Sequence, residues 1–175
     1  MMMQRNFTLL ALTLSALACR TDRPPSADPA NTTSSRDSSD SAFALVQARG
    51  KRAMGVDQYT SKHRFEPLPD GGRIILTRDS ADTLGVAQIR SHMQQIAVSF
   101  REGNFALPGF VHDREVPGTA VMRARRSRIS YTPDSVAGGG QLRIRSDDSV
   151  AVAAIHEFLA FQRLDHRAGA DHSHP

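Results

Sequence analysis

One order of local signals occurs twice in this 175-residue chain: a β-rich run, a glycine-rich turn, a returning β-rich run, an aspartate-rich cap and an amphipathic helix. In the first copy Lys62 to Glu66 reads as a strand, Pro67-Leu-Pro-Asp-Gly-Gly72 as a turn and Arg73-Ile-Ile-Leu-Thr77 as the returning strand. The Asp-Gly pair accepts the positive φ that a tight turn needs. Ser80 to Phe100 follows, with Val86, Ile89, Met93, Ile96, Ala97 and Phe100 at the spacing of one helical face. Ser80 or Asp82 caps its start and Gly103 ends it. In the second copy Arg128-Ile-Ser-Tyr-Thr132 and Gln141-Leu-Arg-Ile-Arg145 flank the turn Pro133 to Gly140, and Asp147-Asp148-Ser149 caps a helix from about Val150 to His166. The copies are spaced by about 65 residues, as an internal duplication would be. A duplicated ββα unit predicts an α+β fold: a four-stranded, mostly antiparallel sheet with two helices on one face, so that both apolar stripes share one core. Aligning those stripes sets Met93 on Ile155, and Gln94 rather than His92 on His156.

The chain before this unit has a different character. Met1 to Asn6 is short and polar, and Phe7 to Ala18 is an apolar run of about 12 residues, roughly 18 Å as a helix. That is too short to span a bilayer core of about 30 Å, and it suits the apolar region of an export signal. Ser15-Ala-Leu-Ala-Cys19 resembles the lipobox of bacterial lipoproteins, which implies that Cys19 is lipidated after removal of 1–18. Cys19 is the only cysteine, so its acylation rules out thiol catalysis, thiolate metal ligation and intrachain disulfides. Stable anchoring needs two or more acyl chains, which such a modification supplies. By resemblance to enterobacterial lipoprotein sorting, Arg20 in place of aspartate after the cysteine implies the outer rather than the inner membrane. Residues 19–41 are Thr, Asp, Pro, Ser and Asn with almost no apolar side chain and predict a disordered tether. Residues 42–167 form a single domain, opened by a short helix over Phe43 to Met54 that Gly50 weakens, and 168–175 form a flexible histidine-rich tail.

Net charge is +4 and the pI near 10, but only Lys51 and Lys62 are lysines. Arginine and alanine replacing lysine throughout points to genomic base composition rather than to a nucleic-acid partner, which an exported protein would not meet. The cluster Arg123-Ala-Arg-Arg126-Ser-Arg128 reads as a solvated face before a strand.

Histidine is the residue type that carries candidate chemistry. His156-Glu-Phe-Leu-Ala160 begins like the zinc-protease helix, with His166 ten residues on, but alanine at 160 removes the second imidazole from that face. His92 and His156, one on each long helix, and His112, in the long connection from Gly103 to Ser127, are candidate metal ligands; otherwise they are boundary histidines beside a core. His63 on an edge strand joins them only through folding. His172 and His174 in the tail could hold Cu²⁺ or Zn²⁺ loosely, since imidazole suits these ions. No Gly-x-Ser-x-Gly elbow and no phosphate-binding glycine loop occur, so no catalytic residue is assigned and no cofactor beyond copper or zinc is implied. A loop as long as Gly103 to Ser127 is functional or partly helical, with a turn of helix over Thr119 to Arg126.

Met54-Gly-Val-Asp-Gln-Tyr-Thr, Phe65-Glu-Pro-Leu-Pro-Asp-Gly-Gly, Asn104-Phe-Ala-Leu-Pro-Gly-Phe-Val-His112 and Ala154-Ile-His-Glu-Phe-Leu-Ala-Phe-Gln162 resemble segments of a group of small bacterial exported proteins. Some of that group carry the name aspartate carbamoyltransferase. The resemblance implies the group and not that activity. The Ser-Thr-Arg-Thr phosphate loop of the transferase is met here only by Thr77-Arg78, and the four zinc-binding cysteines of its regulatory chain by one cysteine.

Three roles remain: a lipid-anchored, periplasm-facing protein that binds a ligand or partner without catalysis, a periplasmic copper- or zinc-binding protein, and an enzyme of unrecognised type, which would need His112 and Asp113 of the long connection to converge with His92 or His156 in a pocket.

Overall fold

The structure is a computed structural model, and it describes residues 29–55, 57 and 59–168. The lipobox with Cys19, and the tail with His172 and His174, lie outside the described residues. The elements in order are α1 (Pro29–Met54), β1 (Lys62–Leu68), β2 (Gly71–Thr77), α2 (Thr83–Arg101), α3 (Ala106–His112), α4 (Thr119–Ala124), β3 (Ile129–Val136), β4 (Gly139–Ser146) and α5 (Ser149–Asp165). Among the described residues no helix is long and apolar enough to cross a membrane.

The expected α+β architecture is present. Four antiparallel strands run in the order β1-β2-β4-β3. The two returning strands are central, and their register sets Gly72 opposite Ile144, Ile74 opposite Leu142 and Leu76 opposite Gly140. An approximate two-fold axis through the Ile74–Leu142 pair therefore exchanges the copies, placing Gly72 on Gly140 and Leu76 on Ile144. The hairpin registers extend it outward, setting His63 (opposite Leu76) on Tyr131 (opposite Ile144) and Phe65 on Pro133.

Each long helix starts where its aspartate predicts. The Asp82 carboxylate accepts from the Gly85 amide at 2.9 Å, and that of Asp148 from the Val150 and Ala151 amides at 2.9 and 3.2 Å, occupying donors that a helix start leaves free. Aligned cap to cap, Met93 falls on Leu159, one turn beyond the Ile155 that the apolar stripes suggest. Ile96 then falls on Gln162, Phe100 on His166 and His92 on Phe158.

The helices cross over. α2 follows β2 but packs mainly on β3 and β4, and α5 follows β4 but packs on β1 and β2. Two small positions let them approach the sheet. A Cβ on Gly72 would stand 2.2 Å from Leu159 Cδ1 and 2.7 Å from the Glu66 carbonyl oxygen, and one on Gly140 3.1 Å from Met93 Cγ. Leu159 and Met93 are the residues that the cap alignment makes equivalent.

Two expectations change. The helix expected from Phe43 already runs from Pro29, inside the segment 19–41 expected as a tether, and continues through Gly50. A distant clamp holds this extension: Arg167, just past α5, donates to the Ser39 carbonyl and hydroxyl oxygens and to Asp40 (2.7 Å), and its guanidinium lies 4.4 Å from the Phe43 ring centroid. The turns are also shorter than expected. β1 turns at Pro69-Asp70, where Asp70 bonds Arg143 and Arg145 of β4. The Arg143 guanidinium beside it holds its carboxyl below the usual carboxylate range. β3 runs through Pro133, which an edge strand tolerates, and only Gly138, at φ 68°, takes the left-handed turn position.

Gly72→Ala should lower stability by about 1–3 kcal/mol, because its methyl meets a backbone oxygen that cannot move aside. Gly140→Ala should cost less, since the flexible Met93 side chain can shift. Urea midpoints of the two variants compare them directly.

Candidate functional site

The apolar faces of α2 and α5 do not close completely over β1 and β2. Between them lies a cavity of about 90 Å³, walled by Phe65, Ile74, Leu76, Met93, Ile96, Phe100 and Phe158, and roofed by Leu107, Pro108 and Val111 of α3 and by Gly50, Ala53 and Met54 of α1. The only side chains with nitrogen or oxygen in this lining are Gln162 and four histidines: His63, His92, His112 and His166. They come from β1, α2, the end of α3 and the residue that caps α5.

The imidazoles are crowded. His63 and His166 stack at 5.0 Å between ring centroids, with planes 12° apart, and His112 meets His166 edge-on, also at 5.0 Å. Phe65 stacks on His166 at 5.5 Å. Burial, with the nearby charge of His92 adding to it, pushes His63 down to about 4; burial alone does the same to His92. His166 is held well below the ordinary imidazole range by burial first and by the charges of His63 and His112 second. At neutral pH these three rings are uncharged, because low polarity and mutual repulsion both disfavour the proton.

His112 is tied at both ends. Its Nδ1 bonds the Asp165 carboxylate and its Nε2 stands 3.0 Å from Gln162 Oε1. Both His112 and Gln162 are buried. Turning the Gln162 amide by 180° offers Nε2 a donor and leaves the ring N–H for Asp165, the tautomer that a carboxylate partner selects. His166 is the opposite case: its Nδ1 is buried without a hydrogen-bond partner.

Of the histidines singled out in the sequence, the structure brings His92 and His112 together. His156 stays apart, its Nε2 at 2.9 Å from the Leu68 carbonyl oxygen, and His172 and His174 lie outside the described residues. Asp113 turns away too, capping α3 at φ 55° and pairing with Arg49 at 2.8 Å. The members that sequence reasoning did not place are His63 and His166, with Gln162. The duplication held the signal. The two-fold sets His63 on Tyr131, and cap alignment sets His166 on Phe100 and Gln162 on Ile96. In the other half Tyr131 and Phe100 meet edge-on at 5.8 Å inside a filled core, whereas here the matching pair is two imidazoles beside a cavity.

Among the described residues no group of three His, Cys, Asp or Glu side chains is disposed to hold a metal ion. Comparison of the chain with known protein families, with curated proteins and with solved structures finds no match.

The depressed imidazoles set a pH dependence of stability. An unfolded histidine titrates near 6.5, whereas burial holds folded His63 and His92 at about 4 and His166 well below the ordinary imidazole range. Between those values the unfolded chain binds more protons, so acid favours unfolding. The urea midpoint should fall as pH drops from about 6.5 to about 4, and His166→Phe should flatten that slope.

Proposed function

We propose that this protein is a lipid-anchored, periplasm-facing binding protein, held at the outer membrane through Cys19, and that its ligand site is the histidine-lined pocket. The observation that carries the reading is the broken symmetry of the duplication. One half fills its core with Tyr131 and Phe100; the matching place in the other half has His63 and His166 around an open cavity, with a buried nitrogen unpartnered. The aromatic half also has a buried unpartnered atom, the Tyr131 hydroxyl, so what distinguishes the histidine half is open space lined by several imidazoles, and empty space beside polar groups gives a fold nothing structural. Departures of this kind are what binding sites require. The lining contains no Ser, Thr, Cys, Lys, Asp or Glu, and the one carboxylate-oriented imidazole, His112, has both nitrogens engaged. Binding without catalysis accounts for that chemistry.

A copper- or zinc-binding role is the second reading, favoured by four imidazoles and the Met54 and Met93 thioethers in one lining. It requires side-chain rotations that bring three donors to a common point. Purified protein taking up one equivalent of Zn²⁺ or Cu²⁺, lost in His63→Ala and His166→Ala alike, would establish it; substoichiometric metal in the unsubstituted protein would end it.

The site is tested by rebuilding the other half's pair. His63→Tyr with His166→Phe should raise stability at pH 7 by about 1 kcal/mol, because the two larger rings fill the cavity. It should also abolish the xenon-induced shifts expected at the methyl groups of Leu76, Ile96 and Leu107. Unchanged xenon shifts in the double variant would remove the pocket as the site. Cys19→Ala tests the anchor separately: the variant should leave the membrane fraction, and retention there would overturn the lipid assignment.

A further inference from the structure

Resting on the reading of the pocket as the binding site, we propose that its ligand is a small weak acid: a short apolar body bearing one carboxyl group. The body lies against Met93, Phe100 and Phe158, and the acid group lies among His63, His92 and His166.

Charge and hydrogen-bonding capacity select this class. No arginine, lysine or carboxylate lines the pocket. A ligand with a fixed positive charge, or with two negative charges, would sit there without a counter-charge, at a cost of several kcal/mol. A wholly apolar ligand would leave the buried His166 Nδ1 unpartnered. A weak acid satisfies both conditions, because a neutral imidazole can accept its proton and the resulting imidazolium–carboxylate pair is neutral as a unit.

His112 does not compete for the acid. Asp165 and Gln162 occupy its two nitrogens, so it braces His166 edge-on. The titratable groups facing the acid are therefore His63 from β1, His92 from α2, His166 after α5, and His112 with its Asp165 partner; α1 contributes none. Size narrows the body. The cavity of about 90 Å³ is smaller than the engineered cavity of about 150 Å³ known to take benzene, which limits the ligand to a few carbons and excludes long acyl chains.

Proton balance follows. At neutral pH a carboxylic acid is ionised in water and the three imidazoles are neutral in the free protein, so forming the pair takes one proton from solvent for each ligand bound. That proton resides on an imidazole nitrogen, and release of the ligand returns it.

The test is calorimetric titration of the full chain carrying Cys19→Ala, so that no acyl group competes, with three compounds sharing one three-carbon body: propionic acid, 1-propanol and propylamine. The acid should bind most tightly, with affinity rising about tenfold per pH unit from pH 7.5 down to 5.5. Its apparent enthalpy should vary with buffer ionisation enthalpy by the amount one proton requires. The amine should not bind, and the His63→Tyr, His166→Phe double variant should lose the acid. Alcohol binding as tight as the acid, or acid binding without proton uptake, overturns the weak-acid assignment and leaves the pocket as the site. No binding of any of the three while xenon still shifts the pocket methyls overturns the assignment alone; failure of xenon as well overturns both.

Discussion

The antiparallel pairing of β2 with β4 is the contact on which everything else rests. It joins the two copies at Ile74 and Leu142, and it obliges each helix to cross to the other copy's hairpin. A single ββα unit folded alone would have its apolar sheet face, with Ile74 and Leu76, uncovered, because the helix that covers it belongs to the other unit. Both halves must therefore form together, and Ile89, Met93, Leu142, Ile144, Ile155 and Leu159, all buried, belong to one core. Gly72 and Gly140 are the sequence's concession to that arrangement: the strands are bare where the crossing helices touch them.

Crossing over also explains why the pocket lies where it does. With α5 on β1 and α2 on β3, His63 meets His166 in one half and Tyr131 meets Phe100 in the other. Two aromatic residues fill their half, and Phe105 stacks on Phe100 at 4.6 Å to complete it. Two imidazoles are smaller and polar, so the same backbone frame leaves a cavity with nitrogen at its rim. Even the filled half has a polar remnant, since the Tyr131 hydroxyl is buried without a partner and burial pushes the phenol up. The two halves differ in how they use the position: one buries aromatic area, the other keeps neutral imidazoles beside open space.

How much of this the sequence disclosed depends on the range of each interaction. Signals set within a few residues were legible: the helical stripe from Val86 to Phe100, the Asp82 and Asp148 caps, and the Asp70-Gly71 turn. The duplication and the α+β sheet followed from their order. The pocket was not legible, because His63 and His166 are joined only by tertiary packing. The apolar stripe itself misled. Met93 matches Ile155 as a stripe but Leu159 as a position, and the one-turn error paired His156 with Gln94 and drew attention from His166. The N-cap fixes the helix to its strand, so it is the better frame for comparing the copies. The long start of α1 was hidden for the same reason as the pocket, since the Arg167 clamp that holds it comes from the far end of the domain.

That clamp bears on how a ligand reaches the pocket. α1 roofs the cavity through Gly50, Ala53 and Met54, yet among its described side chains Val46 is the only hydrophobic one in the core. Met54 packs against the core from the end of the helix, and the ion pairs Arg49–Asp113 and Arg167–Asp40 are each at least partly exposed. Exposed pairs of this kind contribute up to about 1 kcal/mol each, far less than the packing that holds α2 and α5 on the sheet. Opening free energies span a wide range within one fold, lowest where few apolar contacts must break. A ligand passing under this roof therefore displaces less apolar packing than one passing between the sheet and its two crossing helices.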